Sequence, residues 1–141
     1  MSDIEERNAA RRDAEIARTA GRKPASEFTS KVVGVSFVPG YPDNLLDLAK
    51  ADVNAAAVGE RLIAILHRNP ANEYDPNAIE VHVPALGDGG FIGHLTRPIV
   101  ARMAPDMDAG AIWHAEVANV LIDPDHLDRP GIEIHCKRME N

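Results

Sequence analysis

The sequence predicts a mostly β protein: a small, closed or nearly closed antiparallel β-barrel of about six strands with one or two short helices. Three observations lead there. Six short segments carry apolar and β-branched residues in period two or in brief apolar runs. Most connections between them are short and rich in Pro, Gly, Asn and Asp. Helical composition is confined to two internal segments and a charged N-terminal stretch.

Residues 1–28, MSDIEERNAARRDAEIARTAGRKPASEF, are rich in Ala, Arg and Glu and nearly free of large apolar residues. That composition favours helix, with Glu and Arg at helical spacing. Ile4 and Ile16 stand too far apart to form an apolar stripe, so the segment reads as a tail or frayed helix with little reason to dock, ending at Gly21 to Pro24. The pattern changes at TSKVVGVSFV, where Val33, Val35 and Phe37 alternate with Gly34 and Ser36 as a first strand. PGYPDN is a turn, and LLDLAKADVNAAA is a helix that Asp43 or Asn44 can cap. VGERLIAILHR is a second strand, with Leu62, Ala64 and Leu66 on one face and Ile63 and Ile65 on the other. NAIEVHV is the third strand, PALGDGG a hairpin loop, and FIGHL the fourth strand, with Gly93 placed for a bulge or a close backbone approach. TRPIVARMAPDMDAG is helical: Thr96 caps, Pro98 suits the first turn, Ile99, Val100 and Met103 face inward, and Pro105 and Gly110 end it. AIWHAEVANVLID is the fifth strand, with Trp113 in the core or at the barrel rim. PDHLDRP is a solvated loop, and GIEIHCKR closes the barrel.

With 141 residues the chain suits one domain with a real core. Its lone cysteine, Cys136, excludes an internal disulfide, which makes a reducing, cytoplasmic setting the default. The N-terminus lacks the apolar segment of a signal peptide, and no apolar run approaches the ~20 residues of a membrane span. Net charge is −7 at a pI near 5.3, so the basic footprint of a nucleic-acid binder is missing. Charges balance within residues 1–28, and the remainder holds the whole excess. Nucleic-acid binding would therefore rest on a local site and depend strongly on salt. None of the six histidines or Cys136 has the tight spacing of a zinc site. His135 and Cys136 are adjacent and point to opposite strand faces, so no metal or other cofactor is expected. No Gly-rich phosphate loop, paired-carboxylate signature or nucleophile partner for Cys136 stands out, which disfavours an enzyme.

The densest polar stretch is NPANEYDPNAIEV, residues 69–81, where Tyr74 and Asp75 stand between Pro70 and Pro76. Taken alone, Asp75 caps a turn ahead of a strand and Tyr74 packs on the barrel, because Asp-Pro is a common turn signal. Asn72 and Asn77 are good loop formers, and Asn77 reads as a shaper of the loop that contacts no ligand. Phe37 is either a core residue in phase with Val33 and Val35 or an exposed ring. His94 and Arg97 fall where a strand gives way to a helix N-terminus, a place that favours anions, although Arg97 could equally be a solvated cation.

VVGVSF at 32–37, NPANEYDPNAIEV at 69–81 and IGHL at 92–95 together resemble the HIRAN domain. This module occurs at the N-terminus of certain DNA-repair helicase-like proteins and as a free-standing protein in bacteria and phages. The resemblance spans roughly residues 30 to 137, dividing the chain into a tail, 1–28, and a HIRAN-like barrel, 29–141. It implies an OB-like fold whose ligand is single-stranded DNA, captured at a free 3′-hydroxyl end. By position the site residues would be Phe37, Asn72, Tyr74, Asp75, His94 and Arg97. Phe37 replaces a tyrosine and Arg97 a lysine, which keeps stacking and charge. Ser36 replaces an arginine found in some relatives, removing a phosphate contact, and Glu73 replaces a common proline, adding a negative charge beside the pocket. The segment from Tyr41 to Ala57 is longer than in characterised members. A module with no motor of its own would act through a partner such as a helicase, nuclease or recombination protein, with the tail as a candidate contact. The competing expectation is a protein-interaction module on the same barrel with a weak or lost DNA site, which the acidic charge, Glu73 and Ser36 favour.

Overall fold

In the computed structural model six strands close into a barrel: β1 (Pro24–Val33), β2 (Ile63–Arg68), β3 (Ile79–His82), β4 (Phe91–Leu95), β5 (Trp113–Leu121) and β6 (Gly131–Met139). The order around the ring is β1-β4-β3-β2-β5-β6, and every neighbouring pair is antiparallel. Closure removes the unpaired edges an open sheet would expose. Three helices accompany the barrel: α1 (Asp3–Thr19), α2 (Asp43–Ala57) and α3 (Arg97–Asp108). The structure describes residues 3–19, 24–86, 90–123, 125 and 131–140. The end of the tail at Gly21 to Lys23, the glycines Gly87 and Gly89 of the hairpin loop, and most of the loop PDHLDRP lie outside these residues.

The core follows from period two. On β6, Ile132, Ile134 and Cys136 point inward; on β3, Ile79 and Val81 do; on β5, Trp113, Ala115 and Val117 do. Cys136 is fully buried while His135 faces outward to Thr29, as adjacent strand positions require. Burial pushes the Cys136 thiol up to about 12, which makes it an inert packing residue. From α2, Leu45 and Leu48 complete the core, and from α3, Val100 and Met103. The six expected strands are all present, and the fold is the expected antiparallel barrel.

Local details differ from the sequence reading, each for a physical reason. The first strand does not run through Phe37. Gly34 adopts φ +74, which ends the pleat, and a 3-10 turn follows over Val35–Phe37. The phase therefore shifts: Val32 is buried, Val33 is exposed, and Phe37 is no core residue but stands 90% exposed. The strand also begins earlier, at Pro24, so the expected boundary at residue 28 falls inside β1. Ser26 to Lys31 pair along β6, and Phe28 packs edge-on against Trp113 at 5.6 Å. Helix α1 docks against β2 and the Pro84–Leu86 turn without an apolar stripe. It buries Glu15 against His114, 3.7 Å away, which also explains why a histidine on the outer face of β5 is buried. Neither Asp43 nor Asn44 caps α2, since Pro42 occupies that position and Asp43 already lies in the first turn. Thr96 precedes α3 with extended backbone but makes no side-chain cap bond. Pro105 does not end α3. The helix continues to Asp108 and stops where Gly110 takes φ +101.

Gly93 on β4 controls the junction that concerns the site. It has φ +141, and a Cβ placed there would lie 2.5 Å from the Val33 carbonyl oxygen and 2.8 Å from Val32 Cγ1. Strand β1 meets β4 only through Val32↔Leu95 and Val33↔His94, so the glycine permits the pairing that closes the barrel. Gly93→Ala is expected to cost about 1–3 kcal/mol in backbone strain alone, lowering the melting temperature by several degrees. An unchanged melt would show that β1 and β4 do not approach this closely.

Candidate functional site

The loop between β2 and β3 is built by its own side chains. The Asn69 N–H donates to the Ala78 carbonyl at 2.9 Å and closes its base. Asn72 Oδ1 accepts from the N–H groups of Tyr74, at 2.9 Å, and Asp75, at 3.0 Å. Asp75 Oδ1 accepts from the Asn77 N–H at 2.8 Å, and the Asp75 carbonyl accepts from Ala78. The side chains of Asn72 and Asp75 thus hold the loop, as their residue types suggest, while Asn77 takes part through its backbone N–H. The turn-capping role of Asp75 is real, yet it uses one oxygen. Oδ2 has no hydrogen-bond partner among the described residues. The packing expected of Tyr74 is not seen: its ring is 78% exposed.

Arg68, at the end of β2, fixes this loop to the rest of the molecule. Its Nη1 donates to the carbonyls of Pro76, at 3.1 Å, and Ala78, at 2.9 Å. Its Nε and Nη2 grip both carboxylate oxygens of Asp108 at 3.0 Å. Asp108 is the last residue of α3, so one guanidinium joins the loop to the helix. The hydrogen bond to Asp108 raises the Arg68 pKa further, with Asp75 adding charge attraction, and the same bond holds the Asp108 carboxyl below the usual carboxylate range. A second clamp holds α3 from the far side. Arg138 on β6 donates to Asp106 at 2.8 and 3.1 Å, and the Trp113 indole N–H donates to it at 2.9 Å. Arg138, then Trp113, depress the Asp106 carboxyl. Sequence reasoning missed Arg68, because its partners sit 8, 10 and 40 residues away and no local pattern announces them.

With loop and helix fixed, a pocket of about 200 Å³ opens between them and the β1–β4 junction. Asn72, Tyr74 and Asp75 line it from the loop, His94 from β4, and Arg97 from the first turn of α3. Val33, Ala78, Leu95 and Val100 complete the lining. Five of the six expected site residues therefore meet in one place. The sixth, Phe37, does not line the pocket; it lies on the 3-10 turn, four residues past Val33. Arg97 spends one N–H on the Tyr74 carbonyl, at 3.2 Å, and its remaining N–H groups have no partner among the described residues. It is exposed and stands at a helix N-terminus whose first turn holds no acid. His94 Nε2 is buried and has no hydrogen-bond partner among the described residues. The pocket thus offers an aromatic face, a carboxylate oxygen that only accepts, and a cation at the N-terminus of a helix. Larger clefts, of about 240, 410 and 470 Å³, lie elsewhere, and none of these gathers these residues. No group of three His, Cys, Asp or Glu among the described residues is placed to hold a metal ion, and no described helix is long and apolar enough to cross a membrane.

The family model described as the HIRAN domain matches residues 26–136. Among solved structures, the crystal structure of the HIRAN domain of human HLTF superposes with a TM-score of 0.58 at 21% identity, covering 86% of this chain and 81% of that one. A protein from Lactobacillus plantarum gives 0.56 at 22% identity, covering 82% of this chain and 100% of that one. The HLTF HIRAN domain in its DNA-bound conformation gives 0.53 at 20% identity, covering 89% and 84%. At these identities the superpositions speak for the fold. No curated protein matches the chain.

The clamps set an acid limit. Asp106 and Asp108 have folded pKa values below their ordinary 3.8, so they stabilise the structure fully above that value and lose the contribution as pH falls through the lower folded values. Arg68→Ala is expected to cost about 1–2 kcal/mol at neutral pH and to speed amide exchange at Asn69 and Ala78, while β5 and β6 stay protected. Equal loss of protection throughout the barrel would mean that Arg68 supports the whole fold and not the loop.

Proposed function

The chain belongs to the HIRAN domain family, and from that membership and the make-up of the pocket we propose that it binds single-stranded DNA at a free 3′-hydroxyl end. A relative solved in its DNA-bound conformation supports DNA as the ligand. The observation that carries the end recognition is Asp75, with one carboxylate oxygen committed to the loop and the other open in a pocket beside an exposed ring and a cation. An ionised carboxylate can only accept a hydrogen bond, and a terminal hydroxyl can give one; the charge strengthens it. A 3′-phosphate would be repelled, and an internal nucleotide has no proton on its 3′-oxygen. Tyr74 offers a face for the last base, at about 1–3 kcal/mol per stacked base and with little sequence preference. Arg97 and the N-terminus of α3 take the phosphate that follows, and His94 Nε2 gains a partner there. Phe37 is a second platform at the border. Because Asn72, Asp75 and Arg68 have already ordered the loop, binding does not bear that entropy cost.

The reading is a binding module and not an enzyme, acting in DNA repair, replication or processing through a helicase, nuclease or recombination partner. Residues 29–141 with the early part of β1 form the binding unit, and α1 is the candidate partner contact. The net charge of −7 and the exposed Glu73 favour a second reading, a protein-interaction module with a weak DNA site.

Fluorescence anisotropy with twin oligonucleotides ending in 3′-hydroxyl or 3′-phosphate, at low salt, separates these. The hydroxyl end should bind at least about tenfold tighter, the worth of one charge-assisted hydrogen bond. Asp75→Asn keeps an oxygen for the Asn77 N–H, so the melt should hold while the preference disappears. Equal binding of both ends by the unaltered protein would sink end recognition. No binding of either would move the weight to the protein-interaction reading.

A further inference from the structure

Starting from His94 at the pocket, the outer face of β2, β3 and β4 carries a run of rings, three of which the reading above leaves unused. His94 packs edge-on against Phe91 with centroids 5.3 Å apart, Phe91 lies tilted against His82 at 5.4 Å, and His82 meets His67 edge-on at 5.8 Å. Strand register produces the row: His82 pairs with Phe91 across β3–β4, and Glu80 pairs with His67 on one side and His94 on the other. Phe91 contributes nothing to the hydrophobic core, although it is a large apolar ring. Glu80 keeps its negative charge within this row and is placed by two neighbours. One oxygen meets His82 Nε2 at 2.9 Å and the other accepts from Asn69 at 3.1 Å, so its carboxylate serves to hold a ring and the loop base.

We propose that this ladder, His94–Phe91–His82–His67, is a track along which the strand continues away from the pocket, its bases or sugars resting on successive rings. The proposal rests on the single-stranded DNA reading and extends it from the end to the body of the strand. Two observations carry it. The pocket, at about 200 Å³, is below the ~300–1,000 Å³ of ordinary small-molecule sites and has room for an end, not for a run. His94 belongs to both, lining the pocket and starting the ladder, so the track is continuous with the site. Barrels that hold single strands engage roughly 4–16 nucleotides, and rings that accept any base are their usual means. The ladder leads from β4 across β3 to β2, ending at the exposed ring of His67.

The test compares a thymidine dinucleotide with a decanucleotide, both ending in 3′-hydroxyl, against the full chain and the variants His67→Ala, Phe91→Leu and Phe91→Tyr. The decanucleotide should bind the unaltered protein more tightly than the dinucleotide. His67→Ala and Phe91→Leu should each weaken the decanucleotide about fivefold or more and leave the dinucleotide unchanged, and Phe91→Tyr should retain the affinity. His67 is exposed, so its replacement keeps the test valid if Phe91→Leu does not fold. Equal affinity for the two lengths, or variants that bind the decanucleotide as well as the parent, would overturn the track and leave the pocket standing. Variants that weaken both lengths alike would also overturn it, since the rings would then act through the pocket. If neither length binds, the DNA reading itself fails and the track with it.

Discussion

One guanidinium group sets the geometry on which the site depends. Arg68 makes four hydrogen bonds, two to loop carbonyls and two to the carboxylate that ends α3. Among the described residues, without it the only hydrogen bond left between the loop carrying Tyr74 and Asp75 and the helix carrying Arg97 would be the Arg97–Tyr74 bond. A planar fork with donors on both edges suits this task, and lysine could not make the same set of contacts. The Arg138–Asp106–Trp113 clamp completes the arrangement by tying the same end of the helix to β5 and β6. Helix α3 is thereby fixed at its C-terminal half, and its N-terminal turn is presented to the pocket.

In the proposed reading this rigidity lets a chain of net charge −7 offer an anion a place. The field of the whole molecule is unfavourable, so attraction must come from nearby groups held at short range. Arg97, the first turn of a helix without acids, and the orphaned His94 nitrogen supply it. In the proposed reading the carboxylate of Asp75, in the middle of this group, is the selective element, because it favours a partner that can donate a proton. A pocket meant only for phosphate would have no use for it.

The barrel was legible because its strands alternate. Ile132, Ile134 and Cys136, or Ile79 and Val81, announce an inward face two residues at a time, and a run of 141 residues with few helical stretches leaves few other architectures. What escaped was decided by partners distant in sequence. The first half of β1 has no alternation to read, and it becomes a strand by pairing with β6 over a hundred residues away. Helix α1 was sought by an apolar face, whereas it docks with Glu15 beside His114. Of the two expected stops, Pro105 does not break α3, and the helix ends just before the left-handed Gly110. The pocket was legible through the motif around Tyr74 and Asp75, and five of its residues converge. The pattern leaves Phe37 open between core and exposed ring, and the left-handed Gly34 decides it by ending the strand before Phe37 is reached; Arg68 goes unannounced because a lone arginine at a strand end looks like any solvated cation.

The most direct test is to map amide chemical shifts on the full chain as a short single-stranded oligonucleotide with a free 3′-hydroxyl is added at low salt. A pre-built pocket locked by Arg68 predicts that the largest changes fall on residues 72–77, His94 and Arg97, with Asn69 and Ala78 as protected from exchange before binding as after. Changes centred instead on the outer face of β1, β5 and β6, around Glu27, His135 and Lys137, or a loop that gains protection only when DNA is present, would contradict it.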